Sequence, residues 1–259
     1  MMSSGKHDKA FFAHLFEKVL RDGSWEGEVW DKRKNGEVYP RSMTITVVRD
    51  ANQQISQFVG IFRDITERKN NEALISKLAF YDTLTQLPNR RLLTDRLGPA
   101  IASNKRHGIF GAIMFIDLDK FKPLNDTYGH AVGDLLLVEV GRRITSCVRE
   151  TDTVARFGGD EFVVMLTELN ADATKSREEA RIVAEKIRLS LSETFVLNYK
   201  TGEDTGTRIE YNCSSSIGVA MFHGQETSQE EILKQADDAM YRAKEGGRNL
   251  VLFCEAKNN

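Results

Sequence analysis

Cysteine is scarce, with three residues in 259, and Cys147, Cys213 and Cys254 lie far apart in the sequence. An odd count with no Cys-x-x-Cys pair excludes a disulfide framework and a thiolate zinc site. It predicts reduced cytosolic thiols in the core. Long apolar runs are lacking too. None approaches the roughly 20 residues of a membrane span, and the N-terminus has no signal-peptide pattern, so a soluble cytoplasmic chain is expected. Neither sign of charge dominates. With 36 Lys plus Arg against 38 Asp plus Glu, the formal charge of −2 gives no global field for nucleic acid or a membrane surface. The Gly-x-x-x-x-Gly-Lys signature is missing, which disfavours a P-loop enzyme, so any phosphates would be held by backbone after Asp119 and by scattered cations. The remainder, 41% hydrophobic and 29% charged, suits a packed core in one large or two modest domains.

What is present concentrates in two short acidic segments. Arg156-Phe157-Gly158-Gly159-Asp160-Glu161-Phe162 sets two glycines and two carboxylates between β-prone runs. Gly158 and Gly159 supply the positive φ angles of a tight hairpin, and without Cβ they admit a phosphate close to the backbone. Two acids at a hairpin tip repel each other unless a cation joins them. Alone, this is a solvated turn. The second segment overturns that reading. Residues 109–116 are apolar almost throughout, the pattern of a strand covered on both faces, and they end in Asp117-Leu118-Asp119. Carboxylates there are held rigidly yet meet solvent. Mg²⁺ prefers oxygen ligands and is held by one or two carboxylates plus substrate phosphates. If the two strands are neighbours, Asp117, Asp160 and the Leu118 carbonyl make a partial shell for Mg²⁺ or Mn²⁺.

These segments belong to an ordered series. Asp82-x-Leu84-Thr85-x-Leu87-x-Asn89-Arg90 comes first, then Asp117-Leu118-Asp119-x-Phe121-Lys122-x-Leu124-Asn125-Asp126-x-x-Gly129-His130-x-x-Gly133-Asp134. The Gly-Gly-Asp-Glu-Phe hairpin follows, then Ser216-Ile217-Gly218-Val219 and Ala236-Asp237-x-Ala239-Met240-Tyr241-x-Ala243-Lys244-x-x-Gly247-Arg248-Asn249. In this order the five motifs resemble the GGDEF family of diguanylate cyclases, with a catalytic domain over residues 82–256. That family condenses two GTP into cyclic di-GMP and releases pyrophosphate. The resemblance implies an α/β, ferredoxin-like sheet shared with adenylyl cyclases and polymerase palms. It also implies a homodimer in which two bound GTP molecules face each other.

The resemblance assigns roles residue by residue. Asp117 and Asp160 match metal ligands, with the Leu118 carbonyl beside them. Asp160 also matches the proposed general base, and Glu161 a second acid on the metal side. Lys122 matches a position that neutralises phosphate charge, and Phe121, Gly158 and Gly159 belong to the substrate-binding segments. Lys244 and Arg248, beyond the last helix, match phosphate contacts, although a helix C-terminus favours cations in any case. Asn125 and Asp134 match the pair that reads guanine, and aspartate at 134 argues against the variants that accept ATP. Asp134 also fits a helix N-cap. His130 reads as a hydrogen-bonded structural residue.

Arg149-x-x-Asp152, five residues before Gly158, matches the family's inhibitory site, where cyclic di-GMP binds away from catalysis. Arginine suits bidentate phosphate or guanine contact, and aspartate accepts from a guanine edge. The alternative is a plain i,i+3 ion pair. Lys186 matches a place where some relatives carry a domain-linking arginine, whose fork lysine cannot reproduce. The reading is an active, product-inhibited cyclase. One rival is a catalytically silent receptor or scaffold that binds cyclic di-GMP through Arg149 and Asp152. Another is part of a larger signalling chain that turns over only when the rest aligns the dimer. No EAL or HD-type phosphodiesterase segment is expected after the cyclase domain.

The chain divides near residue 80. Residues 25–31 and 37–48 read as strands joined across Lys34-Asn35-Gly36, a strong hairpin signal. Met43, Ile45 and Val47 alternate with Thr44 and Thr46, and a turn at Asp50-Ala51-Asn52 leads into 55–62. This three-stranded antiparallel meander, followed by Asp64-Ile65-Thr66-Glu67-Arg68, resembles the C-terminal half of a PAS domain over residues 1–66. One helix, 9–21, precedes it. The first strands and short helices of a PAS domain are therefore absent, and a ligand pocket is not expected. An exposed sheet is a liability, which implies either a truncated product or a sheet that pairs with another chain.

Residues 67–81 read as a linker helix with Leu74, Ile75, Leu78 and Ala79 on one side. It is either a two-stranded coiled coil or a helix packed on its own domain. Beyond it, helices are predicted over 90–104, 134–148, 175–192 and 229–245. Strands are predicted over 109–116, 153–156, 161–166, 208–222 and 250–253. The last helix carries a capping box, Ser228 with Glu231, and stops at Gly246-Gly247. Ile232, Ala236, Ala239 or Met240, and Ala243 form its core stripe.

Overall fold

The apolar run ahead of Asp117 becomes β5 (Gly111–Asp119), in which every residue is buried. The computed structural model describes residues 2–199, 207–223 and 228–255; residues 1 and 256, the outer limits expected for the domains, lie outside them. The chain divides into two compact units, Met1–Lys77 and Leu78–Asn259.

In the second unit β5 is the middle strand of a five-stranded sheet. The order is β11 (Val251–Phe253), β10 (Ser214–Phe222), β5, β7 (Glu161–Leu166) and β6 (Thr153–Gly158). Neighbours are antiparallel except β10 with β11. The helices of this unit are α3 (Arg90–His107), α4 (Phe121–Tyr128), α5 (His130–Cys147), α6 (Ala173–Ser192) and α7 (Gln229–Glu245). The order β10-β5-β7-β6, with α5 between β5 and β6 and α6 between β7 and β10, is the ferredoxin-like arrangement that the resemblance implied.

Alternation along each strand assigns side chains to opposite faces. Ala112, Met114, Ile116 and Leu118 pack in one core with residues of α5 and α6. Ile113 and Phe115 pack in the other, with residues of α3 and α7. The same parity puts Asp117 and Asp119 on the α7 face. Helix α7 lies very close to the sheet: a Cβ on Gly218 would fall 2.0 Å from the Ala236 carbonyl oxygen. The stripe Ile232, Ala236, Ala239, Met240 and Ala243 is buried as expected. Ser228 Oγ accepts the Glu231 N–H at 3.2 Å, so the helix starts where its cap predicts.

Several boundaries differ from the sequence pattern. Helix α5 begins at His130, because Gly129 (φ 82°) ends α4 and opens α5. Asp134 therefore lies in the second turn and is not an N-cap. Helix α4 itself is unforeseen; its eight residues are too few to show a helical period. The run 208–222 is two strands, β9 (Thr207–Tyr211) and β10, parted at Asn212-Cys213. Strand β9 leaves the main sheet to pair with β8 (Phe195–Tyr199), also unforeseen. Lys244 sits in the last turn of α7, not beyond it. Cys147 and Cys213 are buried, whereas Cys254 is half-buried and so not a core thiol.

The first unit contains α1 (Lys9–Asp22), β2 (Ser24–Lys32), β3 (Val38–Arg49) and β4 (Ile55–Asp64). A two-residue strand, β1 (Met2–Ser3), pairs with β2, so the antiparallel sheet has four strands and not three. Leu15 and Val19 of α1 pack on Val29, Met43 and Ile45. Every residue of β4 is exposed. Helix α2 (Thr66–Phe80) buries none of its residues. Among the described residues no helix is long and apolar enough to cross a membrane.

Candidate active site

Strand register joins the two acidic segments. In the β5–β7 ladder Asp117 lies directly opposite Glu161, and the Leu118 N–H donates to the Asp160 carbonyl at 3.4 Å. The turn between β6 and β7 is left-handed at both glycines, Gly158 (φ 144°) and Gly159 (φ 51°), a region that residues with a Cβ avoid. Asp117, Asp160 and Glu161 thus share one end of the sheet. Lys244, from the last turn of α7, sets its Nζ 2.7 Å from Asp117 Oδ2.

The electrostatics of this corner are unfavourable as they stand. Burial is the main cause that pushes the Asp117 carboxyl up to about 6; the bond to Lys244 pulls it down, and the charges of Asp160 and Glu161 push it up again. Glu161 is also raised, chiefly by burial and then by Asp237 and Asp160. Like charges in one site resist joint ionisation. Asp117, Asp160, Glu161 and Asp237 outnumber Lys244 and Arg90 here, which leaves a negative, hard-oxygen donor set that fits Mg²⁺ or Mn²⁺ rather than a soft metal. Among the described residues no three His, Cys, Asp or Glu side chains converge into a ready-made cage.

Two residues that organise the corner stand in the sequence motifs without an assigned role. Arg156 donates through Nε and Nη2 to the Gly159 carbonyl, at 3.1 and 2.7 Å. Its Nη1 reaches both carboxylate oxygens of Asp82, at 3.0 and 3.2 Å. Asp82 also accepts the backbone N–H and hydroxyl of Thr85. Burial works against its charge, yet these bonds hold its pKa below the usual carboxylate range. The opening motif is therefore a clamp on the hairpin. The available signal is the Asp82-x-x-Thr85 spacing, a self-closing turn whose acid has room for a further donor. Asp119 is the second such residue. It is buried and accepts Ser214 Oγ at 2.6 Å, Ser216 Oγ at 2.9 Å and the Asn249 N–H at 3.1 Å. These bonds tie β5 to β10 and to the loop after α7.

Beyond Asp119 the chain turns into α4. Phe121 is half-buried against the core, and Lys122 is exposed. Asn125 Oδ1 is buried without a hydrogen-bond partner, and a Cβ on Gly133 would come within 2.0 Å of it. Gly133 thereby leaves room for the amide, and Asp134 follows it as an exposed residue of α5. His130 is exposed at the start of α5, not built into the interior. Arg248 (φ 64°) is exposed after Gly247 (φ 120°). The structure thus brings together Asp117, Asp160, Glu161 and Lys244, and separately Asn125 with the Gly133-Asp134 turn of α5. Lys122 and Arg248 stay in solvent.

Arg149 and Asp152 form a turn between α5 and β6. Asp152 Oδ2 accepts the Arg149 N–H at 3.0 Å and Oδ1 accepts the Thr167 N–H at 3.2 Å. The contact is therefore carboxylate to backbone and not the i,i+3 ion pair, and the Arg149 side chain is exposed. Both residues line a cleft of about 350 Å³ with Val148, Leu166, Ile182 and Lys186. Lys186 Nζ donates to the Cys147 carbonyl at 3.1 Å, at the C-terminus of α5.

Residues 79–250 match the family described as diguanylate cyclase, GGDEF domain. The chain belongs to this family. Ahead of the GGDEF domain, residues 4–67 match a PAS domain family. The chain is 42% identical over 192 residues to MucR of Pseudomonas aeruginosa, described as a bifunctional diguanylate cyclase/cyclic di-GMP phosphodiesterase, covering 74% of this chain and 26% of MucR. The GGDEF domain of TpbB (YfiN) from the same organism aligns with a TM-score of 0.59 and 36% identity, over 68% of this chain and 94% of that one. The coiled coil and GGDEF domain of DgcB from Caulobacter crescentus, solved with cyclic di-GMP, aligns with a TM-score of 0.61 and 26% identity, over 73% and 93%. The chain spans from 26% to 43% of the length of three curated relatives it matches.

Proposed function

We propose that the chain is a diguanylate cyclase that condenses two GTP into cyclic di-GMP and two pyrophosphates. The observation that carries the reading is the β5–β7 register, which supports one acidic site of Asp117, Asp160 and Glu161 beside the Lys244 ammonium. In each half-reaction the 3′-oxygen of one GTP bonds to the α-phosphorus of the other. The bond from that phosphorus to the bridging oxygen breaks, pyrophosphate departs, and the hydroxyl proton passes to a base. Repeating the exchange with the roles reversed closes the ring.

Asp160 is the base, at a hairpin tip that Arg156 fixes through the Gly159 carbonyl. A carboxylate is a far weaker base than an alkoxide, so the hydroxyl must be acidified. A bound Mg²⁺ or Mn²⁺, held by Asp117, Asp160 and the Leu118 carbonyl, would supply that acidification and neutralise phosphate charge. Glu161 is the second acid on this side. Lys244, Lys122 and Arg248 balance the triphosphate, whose backbone partners are Phe121 and the unhindered Gly158 and Gly159. Asn125 and Asp134 read guanine. A buried acceptor without a partner is unfavourable, so rotation of the Asn125 amide that turns the orphan Oδ1 out to a guanine N–H would be favoured.

Each domain would hold one GTP, so the working form is a homodimer, in the cytoplasm where GTP is found. The proposed limits are 1–66 for the partial PAS-like segment, 67–81 for the linker and 82–256 for the cyclase. Product inhibition is assigned to Arg149 and Asp152; the exposed guanidinium beside the cleft supports it, as does the cyclic di-GMP complex of DgcB.

Incubation with GTP and Mg²⁺, alongside Asp160→Ala, tests the reading. Cyclic di-GMP is expected from the unsubstituted chain, and none from the variant, which still binds added cyclic di-GMP. No product from either, with binding retained, would make the chain a receptor. Arg149→Ala should straighten the progress curve; unchanged curvature at high product would sink the inhibitory site.

A further inference from the structure

We infer that Tyr211 is a positioning residue for the nucleotide site: through the Lys120 carbonyl it holds the start of α4, and the β8–β9 pair is the brace that carries it. The inference rests on the proposed GTP site. Helix α4 bears Lys122 and Asn125 and begins directly after the carboxylates of β5. Its own start is poorly secured. Lys120 at the N-cap is left-handed (φ 63°, ψ 24°) and makes no side-chain capping bond. A residue with a Cβ is strained there, and an N-cap without an accepting side chain leaves first-turn N–H groups unpartnered. Those N–H groups are what a phosphate meets at a helix start, so their geometry has to be held from elsewhere.

Tyr211 does this from 91 residues away, its Oη donating to the Lys120 carbonyl at 2.8 Å. Tyr211 closes β9 opposite Phe195 of β8, which is fully buried. The Arg143 guanidinium of α5 stacks on that ring at 3.7 Å. It also donates to the carbonyls of Ser190, Glu193 and Thr194. A continuous path therefore runs from α5 through Arg143, Phe195 and Tyr211 to the N-cap of the nucleotide helix. Burial raises the Tyr211 hydroxyl, which keeps it a donor. Tyr211 lies outside all five family motifs.

Tyr211→Phe removes only the hydroxyl. The expected result is a KM for GTP raised about fivefold, as for one lost hydrogen bond, with kcat within twofold and the thermal unfolding midpoint unchanged. Lys120→Gly in that background should recover most of the loss, since glycine takes the left-handed conformation freely. Calorimetric binding of a non-hydrolysable GTP analogue with Mg²⁺ gives the same comparison without turnover. Equal analogue affinity in the unsubstituted chain and Tyr211→Phe overturns the inference. So does an unfolding midpoint that falls in step with affinity, which would make Tyr211 merely structural. A chain that binds the analogue but makes no cyclic di-GMP overturns the proposed activity and leaves this comparison readable. A chain that binds no analogue overturns both.

Discussion

Strands β4 and β5 are nearly equal in length and both rich in apolar residues, yet every residue of β4 is exposed and every residue of β5 is buried. The difference lies in what covers them. In the first unit one helix covers β2 and β3, which leaves Phe58, Ile61 and Phe62 of β4 bare. In the second unit separate cores line both faces of the sheet, and β5 has strands on either side. Carboxylates gathered in one site need a backbone that does not yield to their repulsion. Only the second environment provides one.

The contrast can be broken most forcefully at two phenylalanines. Phe162 is fully buried in β7, next to the acidic pair, and Phe62 is 62% exposed in β4. Phe162→Ala should cost about 3–5 kcal/mol, and Phe62→Ala less than about 0.5 kcal/mol, in urea unfolding followed by circular dichroism. Both tryptophans, Trp25 and Trp30, lie in the first unit. Their fluorescence transition should stay put in Phe162→Ala; a joint shift would show the two units unfolding as one.

Two mid-strand glycines sharpen the comparison. A Cβ on Gly218 would strike backbone atoms of α7, whereas one on Gly60 meets nothing within 4 Å. Gly218→Ala should destabilise by about 2–3 kcal/mol. Gly60→Ala should be neutral or stabilise by up to about 1 kcal/mol. Equal effects on unfolding would mean that α7 sits less tightly on β10 than described.

The smallest effect is a pH signature of the buried corner. The Asp117 carboxyl is at about 6 in the folded chain against 3.8 for the free group. The folded state therefore holds the proton more tightly than the unfolded state between those values. Stability falls as pH rises through about 4 to 6, and the penalty is complete above that window. Asp117→Asn should gain about 2 kcal/mol at pH 8 and nothing near pH 3.5. A gain that is independent of pH would trace to packing and not to charge.

Legibility followed the range of the interactions. Helix α7 was bounded correctly because Ser228 and its apolar stripe are local, and β7 because Gly158 and Gly159 mark the turn before it. The central strand was found from its apolar run but starts later, at Gly111. Phe110 turns aside to exchange backbone bonds with Leu169 and Asn170. Register was not legible, since alternation fixes the face of Asp117 but not its partner Glu161. The hold of Arg156 on Asp82 spans 74 residues; the Asp82-x-x-Thr85 turn signals an acid with room for a donor but not which donor. Strand β8 (Phe195–Tyr199) is five residues long and starts only three residues after α6 ends, too short an apolar run to separate from the helix by pattern. Of the site, residue types and order were readable, while the clamps that fix them were not.

The most direct test is the initial rate of cyclic di-GMP formation over a range of chain concentrations, with saturating GTP and Mg²⁺. Product should rise more steeply than linearly with chain, with two pyrophosphates released per cyclic di-GMP, because two domains must meet. No product at any concentration, from a folded chain that still binds cyclic di-GMP, would contradict the assignment of Asp117, Asp160 and Glu161 to synthesis.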